Sequence, residues 1–210
     1  MTDTNVGTNE WVDAKHAQGF LDRRGQIPQL AVGYSELLAI LPTNPKRVLD
    51  LGCGDGKVMA MIGGSGVAVD FSPHMLEQAR ARFLADDVEV VEHNLNAPLP
   101  DLGTFDLVVS AFAIHHCSHE RKQELYAEIF RILEPGGVFA NLEHVASTTP
   151  QLHEEFLRLI GTGPGEEDPS NQLLDVETQL RWLREIGFVE VECFWKWREL
   201  ALLAGTRPGL

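Results

Sequence analysis

RVLDLGCGDG, running from Arg47 to Gly56, decides the fold, and Asp70 a short way downstream completes its signal. Val48-Leu49-Asp50-Leu51 is a β-branched, leucine-rich run of the kind that forms a strand buried on both faces. It runs straight into three glycines spaced two apart, Gly52, Gly54 and Gly56. Such a loop lets a ligand lie against bare backbone, because no Cβ intervenes and positive φ costs little. The next strand, Gly66-Val67-Ala68-Val69, ends on Asp70. An acid there, roughly 20 residues past the glycines, is placed to accept hydrogen bonds from a ribose diol. Together these pieces imply a nucleoside-containing ligand at the carboxyl edge of a parallel sheet.

The glycine spacing separates the candidate ligands. A dinucleotide fingerprint is G-x-G-x-x-G, with a helix N-terminus facing a pyrophosphate. Here it is G-x-G-x-G, flanked by Asp50 and Asp55, which would repel pyrophosphate and suit a cationic amino-acid group. At these residues the chain resembles the class I S-adenosylmethionine-dependent methyltransferases, from Arg47 to Asn141 and more loosely to the C-terminus. The resemblance implies an α/β fold: a Rossmann-like, doubly wound, seven-stranded and mostly parallel sheet with a C-terminal antiparallel hairpin. It implies S-adenosylmethionine as cofactor, its methionine moiety facing Asp50, Gly52, Cys53, Gly54 and Gly56, and its ribose held by Asp70 beside Phe71. Ser110, at the end of the fourth strand, joins the implied cofactor contacts.

Composition narrows the class further. The chain has 210 residues, 44% of them hydrophobic, which suits one globular domain over 1–210. No apolar run approaches the ~18 residues of a membrane span, and no signal-like segment opens the chain. Cys53, Cys117 and Cys193 show no metal-ligand spacing and read as small buried hydrophobes in a reduced, cytoplasmic protein. A formal net charge of −14 disfavours nucleic acid as a partner. The expected partner is a small-molecule acceptor, with neither membrane nor metal involved; a homodimer is compatible with all of this.

In chain order, Met1 to Gly7 are small and polar and read as disordered. Apolar spacing, broken by Pro28, predicts helices over 12–23 and 28–41 within an N-terminal helical segment, 1–45. Trp11, Phe20 and Tyr34 from this segment either line the site or pack on the sheet. The hydroxyl of Tyr34 makes it the strongest of the three as a site residue. A short helix over 57–62 and a second starting at Ser72-Pro73 follow. The third strand, Val88–His93, leads to Asn94 and Leu95. In the family this place meets the adenine; Asn94 either supplies an acceptor there or satisfies its own turn.

The fourth strand, Phe105–Val109, delivers SAFAIHHC, 110–117, to the carboxyl edge, where ligands of open α/β sheets sit. His115 and His116 are the most notable polar pair in the chain. They divide between site residue and hydrogen-bonded structural histidine, with one at most facing the pocket. A helix over 120–133 precedes a Pro135-Gly136-Gly137 turn and the fifth strand. Glu143 and His144 end that strand, either within reach of substrate or exposed. Regular alternation stops over 146–176, which reads as an inserted lid, its acids Glu166, Glu167 and Asp168 forming a solvated face. A helix over 177–186 and a hairpin turning at Lys196-Trp197-Arg198 close the chain.

Methyl transfer from a sulfonium needs alignment above all, worth ~7–11 kcal/mol of the barrier. No activated serine or cysteine is required. An acceptor that must lose a proton would use a base, for which His115, His116 or Tyr34 are the candidates. The rival readings are a noncatalytic binder of S-adenosylmethionine or S-adenosylhomocysteine, a nicotinamide oxidoreductase, and a carboxy-S-adenosylmethionine enzyme related to tRNA modification.

Overall fold

The computed structural model describes residues 11, 13–24, 27–163 and 165–209. Met1 to Gly7, expected to be disordered, lie outside the described residues, as does the side chain of Phe20. Among the described residues seven strands form one sheet: β1 (Val48–Leu51), β2 (Gly66–Asp70), β3 (Val88–Glu92), β4 (Phe105–Ala111), β5 (Leu133–His144), β6 (Val189–Trp197) and β7 (Leu200–Thr206). Their order is β3-β2-β1-β4-β5-β7-β6, the first five parallel, with β7 antiparallel to both its neighbours. This is the mostly parallel α/β sheet with a terminal antiparallel pair that the sequence implied.

The alternation along each strand makes two cores. Leu49, Leu51, Val67, Val69, Val108 and Phe139 face one side of the sheet and meet helices α5 (His119–Ile132) and α7 (Val176–Ile186). Val48, Ala68, Leu107, Val109, Ala140 and Leu142 face the other side. There they pack with α2 (Pro28–Ile40), α3 (Lys57–Ile62), α4 (Pro73–Arg82) and Phe156 of α6 (Pro150–Leu159). Full burial of each valine, leucine or phenylalanine among them stabilises by about 1.5–3 kcal/mol. Helix α1 (Ala14–Arg24) lies against α4.

The chain leaves β1 toward β2 in one direction and later returns to β1's other side as β4. The order of an open sheet reverses at that point, and the ends of its two central strands diverge to leave a crevice. Helix α5 begins just beyond it, with Ser118 as N-cap accepting from the Arg121 amide at 3.2 Å.

Two boundaries differ from the sequence reading. The expected turn at Pro135-Gly136-Gly137 is the bulged beginning of β5: Leu133 pairs with Phe105, and the register slips before Leu107. The Gly136 amide donates to Arg207 O at 2.9 Å and the Arg207 amide to Gly137 O at 2.8 Å, a pairing between residues far apart in sequence. The hairpin turn falls one residue later than expected, at Arg198-Glu199, because Trp197 pairs with Leu200.

Candidate active site

At the crevice the glycine loop folds back over β2. The Gly52 and Cys53 amides both donate to Val69 O, at 2.8 and 2.9 Å, and the Gly54 amide donates to Asp70 Oδ2 at 2.8 Å. Gly52 has φ 69°, and a Cβ there would lie 2.1 Å from that of Ala113. Its lack of a side chain therefore lets two loops close over one another. Gly56, with φ 77°, serves a different partner: a Cβ would meet the Phe83 ring at 2.4 Å. Gly56 lies behind the loop and does not line the cleft.

The cleft encloses about 870 Å³, part of it open to solvent. Asp50, Gly52, Cys53, Gly54, Asp70 and Phe71 line one wall; Asn94 and Leu95 line another. Trp11, Tyr34, Phe112, Ala113 and His116 are also among its lining. Ser110, expected among these, is fully buried beneath the surface and donates to Leu51 O at 2.8 Å. It fastens β4 to β1 instead of reaching the cleft.

Three acids give the floor its character. Asp50 Oδ2 accepts from the Met59 amide at 3.2 Å, whereas Oδ1 has no hydrogen-bond partner among the described residues. Burial, reinforced by Asp70 and Asp55, pushes its pKa up to about 7. Asp70 accepts from Gly54 through Oδ2 and from the Ser72 amide at 2.9 Å through Oδ1; burial raises it too. It thus braces the loop as well as lining the cleft. Asp55 is paired with Arg82 at 2.8 Å. A buried carboxylate oxygen without a donor, beside two more acids, is a site for a cation and a poor one for pyrophosphate.

The wall formed by Asn94 and Leu95 rests on a residue that the sequence reading missed. Asn94 Oδ1 accepts from the Asn96 amide at 3.0 Å, so it forms its own turn. Arg121, buried one turn into α5, holds that loop from behind. Its Nε donates to Leu95 O at 2.7 Å and Nη2 to Ala97 O at 2.9 Å, while Glu128 takes both Nη atoms at 2.7 Å. An arginine at the third position of a helix, seven residues before a glutamate, was the available signal. Its destination was not legible.

The two histidines sit side by side on a short 3-10 turn, Ile114–His116, ring centroids 4.0 Å apart, but meet different surroundings. His115 points to β5, Nδ1 2.6 Å from Glu143 Oε1, and does not line the cleft; burial holds its ring neutral. Glu143, expected either to reach substrate or to be exposed, is fully buried and does not line the cleft, and burial pushes its pKa up to about 7. His116 does line the cleft. Burial, then the neighbouring His115, push its pKa down to about 3, so the imidazole is neutral at physiological pH. Its Nε2 is buried without a partner among the described residues. Tyr34 stands across the cleft, edge-on to Phe112 with ring centroids 6.1 Å apart and Lys57 Nζ 4.1 Å over its ring. Phe112 has φ 55°, a left-handed backbone costing about 1–2 kcal/mol in a non-glycine residue, held by its amide's bond to Leu142 O at 2.8 Å.

Of the three acids read as a solvated face, Glu166 is exposed, whereas Glu167 and Asp168 are partly buried and engaged. Asp168 Oδ2 accepts from Trp11 Nε1 at 3.0 Å, and Glu167 Oε2 lies 3.1 Å from His153 Nε2. The Gln172 amide donates to His115 O at 2.8 Å. Buried Lys122 donates to Cys117 O at 2.6 Å and to Gln172 O, so its charge is spent on tying this segment to the histidine turn. Cys53 and Cys117 line the cleft, but burial raises both thiols, Cys117 to about 11, which leaves neither as a nucleophile.

Fold and cleft define a Rossmann-like protein with a nucleoside-cofactor site at its topological switch point. A family model described as a methyltransferase domain matches residues 48–137. Demethylmenaquinone methyltransferase from Clavibacter sepedonicus is 31% identical, over 73% of this chain and 70% of that protein. Carboxy-S-adenosyl-L-methionine synthase from Erwinia tasmaniensis is 28% identical, over 98% of this chain and 94% of that protein. Other curated relatives are matched over about half of their own length. An O-methyltransferase family protein from Burkholderia thailandensis has the same fold, with TM-score 0.70 at 22% identity, over 94% of this chain and 61% of that one. This chain belongs to the S-adenosylmethionine-dependent methyltransferases, and its cofactor is S-adenosylmethionine. The residues present fit that group: unpartnered Asp50 Oδ1 suits an α-ammonium, and the acidic floor suits a ligand of net positive charge.

Proposed function

We propose that this chain methylates a small-molecule acceptor by direct in-line displacement, with His116 as the base where the acceptor must lose a proton. The observation carrying this reading is one cleft lined by both Asp50 and His116, each with a buried polar atom that has no partner among the described residues. Asp50 and the Gly52–Gly54 backbone would hold the amino-acid end, Asp70 the ribose, and Phe71, Asn94 and Leu95 the neighbourhood of the adenine. When bound, the cofactor supplies an electrophilic methyl group on a sulfonium. The protein aligns the acceptor with it: Trp11, Tyr34, Phe112 and Ala113 add an apolar lining to the cleft, which excludes water and favours a largely apolar acceptor. Segment 146–176 acts as a lid over that lining, reaching Trp11 through Asp168. His115 and Ser110, both turned away from the cleft, support their neighbours and do not touch the reactants.

Calorimetric titration of the full chain with S-adenosylmethionine, S-adenosylhomocysteine and NAD tests the binding half. The first two should bind and NAD should bind far more weakly; tighter NAD binding would refute the assignment. Mass spectrometry of acceptor panels tests the transfer half, since a noncatalytic binder would turn over none of them. The whole-length similarity to a carboxy-S-adenosylmethionine synthase supports a second reading, in which the bound cofactor is modified and no separate acceptor is methylated. A carboxylated cofactor recovered from the protein would favour it.

A further inference from the structure

We propose that Asp168 and Ser170, from the segment following α6, form a relay that fixes His116 as its Nδ1–H tautomer and so leaves the Nε2 lone pair to take a proton from a hydroxyl-bearing acceptor. The inference rests on the methyltransferase reading and adds two positioning residues and an acceptor class to it.

Ser170 Oγ lies 2.6 Å from Asp168 Oδ1 and 2.9 Å from His116 Nδ1. A hydroxyl has one proton to give. The shorter distance and the negative charge both direct it to Asp168, since bonds to a carboxylate are shorter and about twice as strong as neutral ones. His116 Nδ1 must then be the donor to Ser170 Oγ, and a neutral imidazole with Nδ1–H carries its lone pair on Nε2. That atom is buried on a ring that lines the cleft and is unpartnered among the described residues. Asp168 is itself fixed as a carboxylate, accepting from the Ser170 amide at 2.8 Å and from Trp11 Nε1 at 3.0 Å. The Trp11 ring in turn stands edge-on to His116, centroids 5.4 Å apart.

A base of this kind is needed only if the attacking atom sheds a proton. As the acceptor oxygen forms its bond to the methyl carbon, its proton passes to His116 Nε2. The electron pair of the broken carbon–sulfur bond stays on sulfur, and the positive charge moves from sulfonium to imidazolium. A hydroxyl that has gained a methyl group is so strongly acidic that even a weakly basic imidazole accepts its proton.

Imidazole nitrogen NMR of the ligand-free full chain and of its complex with S-adenosylhomocysteine reads the tautomer directly, with His116→Gln supplying the assignment. The expected result is Nδ1–H in the wild type and in Ser170→Thr, and a shift toward Nε2–H in Ser170→Ala and Asp168→Ala. Predominant Nε2–H in the wild type overturns the relay, and that measurement needs no variant to fold. Ser170→Ala with an unchanged ring overturns it as well, and if the same variant loses S-adenosylhomocysteine, Ser170 is merely structural. Calorimetry with S-adenosylhomocysteine separates the two levels: a wild type that does not bind it refutes the methyltransferase reading, whereas binding together with the wrong tautomer refutes the relay alone.

Discussion

Asp50 shows how one residue can be costly to the fold and useful to the site. Its side chain is out of water, with a raised pKa of about 7, while an unfolded aspartate titrates near about 3.9. Its contribution to stability is therefore complete below the unfolded value and is lost as pH rises through about 7. Asp50→Asn should raise the thermal midpoint of the ligand-free protein relative to wild type by more at about pH 8 than at about pH 5, as followed by calorimetry. Affinity for S-adenosylmethionine should behave oppositely. Wild-type affinity should strengthen as pH rises through about 7, because the ionised form pairs with the ammonium, and the asparagine variant should lose that dependence. Asp70→Ala should weaken cofactor binding by about 1.5–3 kcal/mol, the range for hydrogen bonds to a charged group. It should also lower the stability of the ligand-free chain, since the carboxylate holds the Gly54 and Ser72 amides. Urea titration distinguishes this from a residue that meets only ligand.

Among elements, the histidine turn and the segment 170–174 behave as one unit through Lys122. The ammonium is buried and satisfied by backbone carbonyls from both, so it acts as a clamp without any carboxylate partner within salt-bridge distance among the described residues. Lys122→Met keeps most of the volume and removes the donors, leaving carbonyls unsatisfied at about 1–3 kcal/mol. Amide exchange at Gln172 should speed up markedly in this variant while β1 and β4 keep their protection; unchanged exchange at Gln172 would show that the segment is held from elsewhere. Glu199 plays a comparable part between β7's approach and α6, lying 3.0 Å from both His144 Nε2 and His153 Nδ1. These polar bonds add to the apolar anchor that Phe156 of α6 makes in the core.

For the molecule as a whole, β7 is the strand on which the C-terminal third depends. It pairs with β5 over Val138–His144 and buries Leu200, Ala201, Leu202 and Leu203 between the two cores. A chain ending at Gly187 would expose the β5 edge and strip cover from both sheet faces. It should fail to give a soluble monomer with a cooperative thermal transition, as judged by size-exclusion chromatography and circular dichroism. Among the described residues no helix is long and apolar enough to cross a membrane.

The sequence by itself determined the sheet and the position of the cleft. Val48–Leu51, Gly66–Asp70 and Phe105–Val109 are short, nearly continuous apolar runs bounded by glycines or acids, which are local properties readable without knowing what lies opposite. Local reading also explains its errors. Gly56 looked like Gly52 and Gly54 because spacing alone does not say that Phe83 is behind it. His115 and His116 follow the same strand, and which of them reaches the cleft depends on the rotation of a 3-10 turn held through Glu143 and Lys122, while Ser110, inside β4, turns to Leu51 O. The bulge at Pro135 exists because Arg207, some seventy residues on, pairs with Gly136 and Gly137. Asp168, Ser170 and Trp11 met His116 only through tertiary structure: hydrogen bonds between distant segments leave no periodic trace in the chain, and polar side chains in a loop look alike whether solvent or an imidazole awaits them.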